Sequence, residues 1–201
     1  MKHIRTSGII LHPTSFPGPD GIGDLGPQAY AWIDFLESSG CTIWQTLPLG
    51  PTGYGDSPYQ CFSASAGNPY LVSPTLLLDE GYLSPEDFAD RPEFPLHQVD
   101  FGAAIPWKLK ILRRAYNNFA AKNGTDSPEF LSFCEENKKW LDDYALFMSL
   151  KTSTAVPPGN PGRLNSRNVS RKHWTTLRLK TPKKSIFINS CSSVSSNSGT
   201  T

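Results

Sequence analysis

The apolar residues of this chain fall into two regimes. Up to residue 50 they come as short unbroken runs. Ile9-Ile10-Leu11 ends at His12-Pro13, and Ile43-Trp44-Gln45-Thr46-Leu47 ends before Gly50. Such runs predict strands, the first buried on both faces as in a parallel sheet. Between them Pro27 suits a first helical position, apolar residues follow at Tyr30, Ile33, Phe35 and Leu36, and Gly40 is placed to terminate a helix. Strand, helix and strand over residues 8–48 make a βαβ unit. Its strands, near 8–12 and 43–47, are expected to be parallel neighbours joined by a helix near 27–39. The loops 13–26 and 48–70 then emerge at the same end. Beyond residue 75 the period turns helical. Ser84-Pro85-Glu86-Asp87 has the form of a capping box. Pro106 opens a pattern with Leu109, Leu112, Ala115, Tyr116 and Phe119 on one face. Ser127-Pro128-Glu129 opens another, with Phe130, Phe133, Cys134, Trp140, Leu141, Tyr144, Phe147 and Met148 on one stripe. Aromatic residues at that spacing read as core rather than as a ligand site.

Residues 151–201 show neither period, and charge sets them apart. The chain has 201 residues and a net charge of +1. Residues 1–150 hold 10 Lys and Arg against 18 Asp and Glu, whereas residues 151–201 hold 9 Lys and Arg, no acid and 17 Ser or Thr. A basic stretch of this kind has three readings: a nucleic-acid-binding segment, a solvated irregular tail, or a translation out of frame. The first lacks any recognisable motif and has few aromatics to interleave with its charges. The third is preferred. With permitted codons, Ser153 to Arg163 read two bases downstream gives Asn-Gly-Gly-Ala-Thr-Trp-Gln-Pro-Trp-Pro.

The N-terminus, Met1-Lys-His-Ile-Arg5, lacks the apolar segment of a secretory signal, and no apolar run approaches membrane length. Cys41, Cys61, Cys134 and Cys191 are far apart and lack paired spacing, so neither a metal site nor a disulfide framework is expected. Reduced thiols and a cytoplasmic location are the expectation.

The stretch with the most chemistry is Gly50-Pro51-Thr52-Gly53-Tyr54-Gly55-Asp56-Ser57-Pro58-Tyr59-Gln60, continuing to Gly67-Asn68-Pro69-Tyr70. Its glycines and prolines exclude a helix and leave a shaped loop at the C-terminal end of a strand. Aromatic faces beside short polar groups suit a sugar ring, which packs its C–H face on the aromatic and gives its hydroxyls hydrogen bonds. A purely structural Ω-loop is the alternative on composition alone. His12, at a strand end, reads as a structural histidine before a catalytic one. Asp24 reads as a turn or cap residue.

Four segments carry a family resemblance: Ser7-Gly-Ile-Ile-Leu-His-Pro-Thr-Ser-Phe-Pro-Gly18, Gly21-Ile-Gly-Asp-Leu-Gly26, Trp44-Gln-Thr-Leu-Pro-Leu-Gly-Pro-Thr-Gly-Tyr-Gly-Asp-Ser-Pro-Tyr-Gln60 and Ser63-Ala-Ser-Ala-Gly-Asn-Pro-Tyr70. In order and spacing they are similar to the N-terminal part of the 4-α-glucanotransferases, also called amylomaltases or disproportionating enzymes (glycoside hydrolase family 77). Weaker similarity runs through Val99-Asp-Phe-Gly102 to Asp142-Asp-Tyr-Ala-Leu-Phe-Met148 and stops near Leu150. The resemblance implies an α/β fold. It would comprise the first two strands of a (β/α)₈ barrel, a helical insertion at about 75–150 within residues 1–150, and a basic tail at 151–201. It also implies a retaining transfer of an α-1,4-glucan segment to a new 4-hydroxyl, with no cofactor or metal. The partners would be α-1,4-glucans, not nucleic acid or membrane.

Retention requires a carboxylate nucleophile and a carboxylic acid about 5–5.5 Å apart. In the family these lie on later strands, so no catalytic residue is assigned here. Asp20, Asp24 and Asp56 lie on the loops after the first two strands without a motif that marks them. What the resemblance transfers is binding. Tyr59 would stack on the sugar ring and Ser57 would bond a hydroxyl. Tyr54 would belong to a second glucan patch, with Phe101 as its companion. Asp56 and Asn68 would shape the loop in preference to touching sugar. The expectation is therefore a glucanotransferase by descent that is inactive as this chain, with a non-catalytic glucan-binding fragment as the alternative.

Overall fold

The computed structural model describes residues 5–154. Strand β1 (Gly8–Ile10) pairs in parallel with β2 (Ile43–Gln45), in the register Gly8 to Ile43, Ile9 to Trp44 and Ile10 to Gln45. Between them runs helix α1 (Pro27–Ser38), with proline at its first turn. It ends as a Gly-terminated helix does. Gly40 has φ +70°, its N–H donates to the Glu37 carbonyl at 3.0 Å, and the Cys41 N–H reaches back to Leu36 at 2.9 Å. The βαβ unit is thus as the sequence implies.

Burial of the strands is not. Both strands alternate between exposed and half-buried positions, and Ile10 is 57 % exposed. On α1 only Ala29 and Leu36 are buried, while Tyr30, Ile33 and Phe35 are exposed. The expected burial on both faces fails because the sheet of the described residues has two strands. One face is filled by Phe16, whose ring lies 6.1 Å from Trp32 and 5.8 Å from Trp44. The indole of Trp44 donates to the Leu11 carbonyl at 2.8 Å.

The main core lies in the helices. Helix α2 (Pro74–Asp79) and the turns after it pack on helix α3 (Phe101–Ala121), burying Val72, Leu77, Leu83, Trp107, Ile111, Leu112 and Ala115 together. The capping box at Ser84 forms, with Ser84 N–H donating to Asp87 Oδ2 at 2.9 Å, but it starts only one 3-10 turn, Pro85–Phe88. Helix α3 begins five residues before the expected Pro106. Asp100 caps it by accepting from the Ala103 N–H at 3.3 Å, so Pro106 sits inside the helix. The buried stripe of α3 is Ala104, Trp107, Lys108, Ile111, Leu112 and Ala115, and Leu109, expected on it, faces solvent.

Asn123, at φ +57°, turns the chain into helix α4 (Pro128–Thr154). Ser127 Oγ caps α4 by accepting from the Phe130 N–H at 3.2 Å. Only the later half of its aromatic stripe is core. Leu141, Tyr144, Ala145, Leu146 and Ser149 are buried, whereas Phe130, Phe133 and Trp140 are half-buried. The helix continues through Thr154, past the expected break at 151. The expectation of an irregular tail otherwise falls outside the described residues.

Candidate functional site

Both loops that follow the strands begin from short local bonds and are then tied to the helices. After β1, His12 Nδ1 lies 2.7 Å from Thr14 Oγ1 and accepts from the Thr14 N–H at 3.4 Å, capping the 3-10 turn Pro13–Ser15. Burial lowers the His12 pKa from 6.5, partly offset by the Pro48 carbonyl. The structural reading of His12 is the one the geometry supports.

Asp24 accepts from the Gly26 N–H at 3.0 Å through Oδ1, as a turn residue, and from Lys108 Nζ at 2.6 Å through Oδ2. Burial nevertheless raises its pKa, outweighing the pull of Lys108. Asp20, also buried, accepts from the Trp107 indole at 2.9 Å, with Arg91 at 3.9 Å. Two carboxylates of this loop are therefore bolted to α3. A cavity of about 180 Å³ opens here, lined by residues 17–20 and 22–24 of the loop with Pro27, Gln28 and Thr75, and no residue of the 48–70 loop lines it.

The loop after β2 closes on itself. Thr52 and Cys61 form an antiparallel bridge, the Phe62 N–H donates to the Pro51 carbonyl at 3.3 Å, and the Asn68 N–H donates to Leu49 at 2.9 Å. The enclosed tip is the 3-10 turn Tyr54–Asp56, then a turn in which the Gln60 N–H donates to the Ser57 carbonyl at 3.1 Å. Gly55 and Asp56 have φ of +68° and +53°. The first is free for glycine, and the second costs a non-glycine residue about 1 kcal/mol. Burial raises the Tyr70 pKa, and the Asp56 charge adds to it.

Of the five residues singled out for sugar contact, Tyr59 and Ser57 share the tip. Tyr59 is 72 % exposed, and its N–H donates to Ser57 Oγ at 3.4 Å. The backbone of Tyr54 lies in the turn just before them. Asn68 is 2 % exposed and its Oδ1 accepts from the Tyr70 N–H at 2.9 Å, capping the turn Pro69–Leu71. That geometry gives Asn68 a loop-shaping part. Phe101 is half-buried at the start of α3.

Sequence reasoning missed Lys108, which is fully buried. The signal was there: a lysine on an otherwise apolar helical stripe demands a carboxylate partner. Three cysteines, Cys41, Cys61 and Cys134, are free thiols, and Cys61 donates to the Pro58 carbonyl at 3.0 Å. Cys191 lies outside the described residues. Among the described residues no group of three or more His, Cys, Asp or Glu could hold a metal ion, and no helix is long and apolar enough to cross a membrane.

Known proteins match this chain over most of its length. The family model described as 4-alpha-glucanotransferase matches residues 11–186, which carries the similarity past Leu150, where the weaker resemblance was expected to stop, and into the basic stretch. A 4-alpha-glucanotransferase of Thermus thermophilus is 47% identical over 173 residues, 86% of this chain and 34% of the relative. One from Synechocystis is 47% identical over 152 residues, 75% of this chain and 30% of the relative. Among solved structures, an amylomaltase from Streptococcus agalactiae in complex with acarbose superposes with a TM-score of 0.83 at 31% identity, over 97% of this chain and 39% of that one. The chain thus spans about a third of the length of these relatives. With the family model matching most of the chain, relatives at 47% identity and a shared fold, the chain belongs to the 4-α-glucanotransferase family.

Proposed function

We propose that this chain supplies the first glucan-contacting loop of a retaining 4-α-glucanotransferase, and that it does not catalyse transfer by itself. The observation that carries the reading is the tip of the loop after β2, where an exposed Tyr59 and a hydroxyl-bearing Ser57 are set side by side by a closed backbone. An exposed ring beside a hydroxyl can stack on one sugar and bond its neighbour's oxygen. Tyr54 would add a second contact from the preceding turn, with Phe101 as its aromatic companion, while Asp56 and Asn68 hold the loop. The ligands would be α-1,4-glucans, in keeping with the acarbose complex of the structural relative. Strands β1 and β2 would be the first two of a (β/α)₈ barrel.

The placement of the carboxylates supports the inactive reading. Transfer with retention needs two of them facing one bond. Asp20 and Asp24 are spent on Trp107 and Lys108, which leaves Asp56 alone on these loops. The purified 201-residue chain is expected to release no glucose from maltotriose, yet to be retarded in a gel containing amylose. Tyr59→Ala should lose most of that retardation, since stacking on an aromatic is worth about 1 kcal/mol, roughly five-fold in affinity. Glucose release that scales with protein concentration and survives repurification would overturn the inactive reading.

A further inference from the structure

The loop that carries Ser57 and Tyr59 is tied to more than its own backbone. Its base is Phe62, next to the Thr52–Cys61 bridge. The Phe62 ring also closes the loop from inside, because a Cβ on Gly53 would come within 3.1 Å of Phe62 Cζ. On the outside the same ring meets the last turns of α4. Its centroid lies 6.0 Å from that of Phe147, tilted by 48°. Lys151 Nζ stands 3.3 Å from the Phe62 centroid. A tilted aromatic ring and an ammonium from one helix therefore grip one loop side chain. Phe147 and Lys151 are four residues apart, which puts them on one face of the helix.

We propose that Phe62, Phe147 and Lys151 form a clamp through which α4 sets the pose of the 50–62 loop, making Phe62 and Lys151 positioning residues for the glucan contacts of Ser57 and Tyr59. The consequence for glucans rests on the reading of that loop as a glucan site; the clamp itself does not. The physical reason is preorganisation. The loop tip is rich in glycine and makes mainly local bonds, so fixing its base removes conformations that a ligand would otherwise have to exclude. The α4 helix, expected from sequence to stand apart from the sugar site, becomes part of its support.

The test is native-state cleavage of the full chain by chymotrypsin after Tyr59, followed alongside helix content and retardation in amylose gels. A cation over an aromatic contributes enough that Lys151→Gln should speed cleavage about 3- to 30-fold, because cleavage reports the open population of the loop. Phe147→Ala should act in the same direction, and Lys151→Arg should restore the parent rate. Helix content should stay at the parent level in both Lys151 variants, which keeps the experiment informative if Phe147→Ala fails to fold. Parent-like cleavage in Lys151→Gln, or failure of Lys151→Arg to restore protection, overturns the clamp whatever the gels show. Faster cleavage in Lys151→Gln together with a parent chain that amylose does not retard supports the clamp and overturns the glucan reading instead.

Discussion

Lys108 carries a charge into the core of this molecule. It is fully buried on the apolar stripe of α3, with Asp24 Oδ2 at 2.6 Å. A buried pair adds little over an apolar pair of equal volume, but a buried charge left alone is costly. Asp24→Ala should therefore destabilise the chain by about 3–5 kcal/mol, and the double change Asp24→Ala with Lys108→Met should recover much of that loss, read from urea midpoints at constant slope. His12 supplies a pH dependence. Burial depresses its pKa below 6.5, so the unfolded chain takes up the proton first as pH falls. Its contribution to stability is complete above pH 6.5 and is lost as pH drops through the lower, folded pKa. His12→Gln should remove that part of the slope in a plot of stability against pH, and an unchanged slope would show that another group carries it.

At the scale of elements, the end of α1 isolates a backbone effect. Gly40 has φ +70°, and a Cβ added there would meet nothing within 4 Å. Gly40→Ala should cost about 1 kcal/mol through the backbone alone, with Gly40→Asn costing less, as judged by thermal or urea unfolding. The capping signals were legible because each is a local sequence. Gly40, Ser127 and Ser84 all terminate or start a turn where expected. The start of α3 was misread because Pro106 is the more conspicuous signal, while Asp100, the actual cap, is a single polar residue after an irregular stretch. The loop bases fared differently. Nothing local in residues 50–62 announces that Phe62 will meet Phe147 and Lys151.

For the whole molecule, the position of the core sets the order of stability. Among the described residues the buried core cluster joins α2 and α3, whereas the two strands keep exposed positions on a sheet two strands wide. Local opening is easiest where few apolar contacts must be broken. Amide hydrogen exchange should accordingly leave Ile111, Leu112 and Ala115 protected longest, with Ile9, Ile10 and Trp44 exchanging early. Slower exchange in the strands than in α3 would mean that the sheet is covered by something other than the residues described.

By itself the sequence determined the βαβ order, the parallel pairing, both ends of α1, the start of α4 and the family. Each of these rests on neighbours in the chain: apolar runs, proline and glycine at fixed offsets, and long motifs in order. It also determined which loop presents Tyr59 beside Ser57, because three glycines and two prolines from Gly50 to Gln60 leave that stretch no regular structure. Only the tertiary structure decided how the loops are held. Asp20 and Asp24 are taken by Trp107 and Lys108, and Phe62 by Phe147 and Lys151. Those partners are far away in sequence, and their meeting depends on how α3 and α4 pack, which no periodicity encodes.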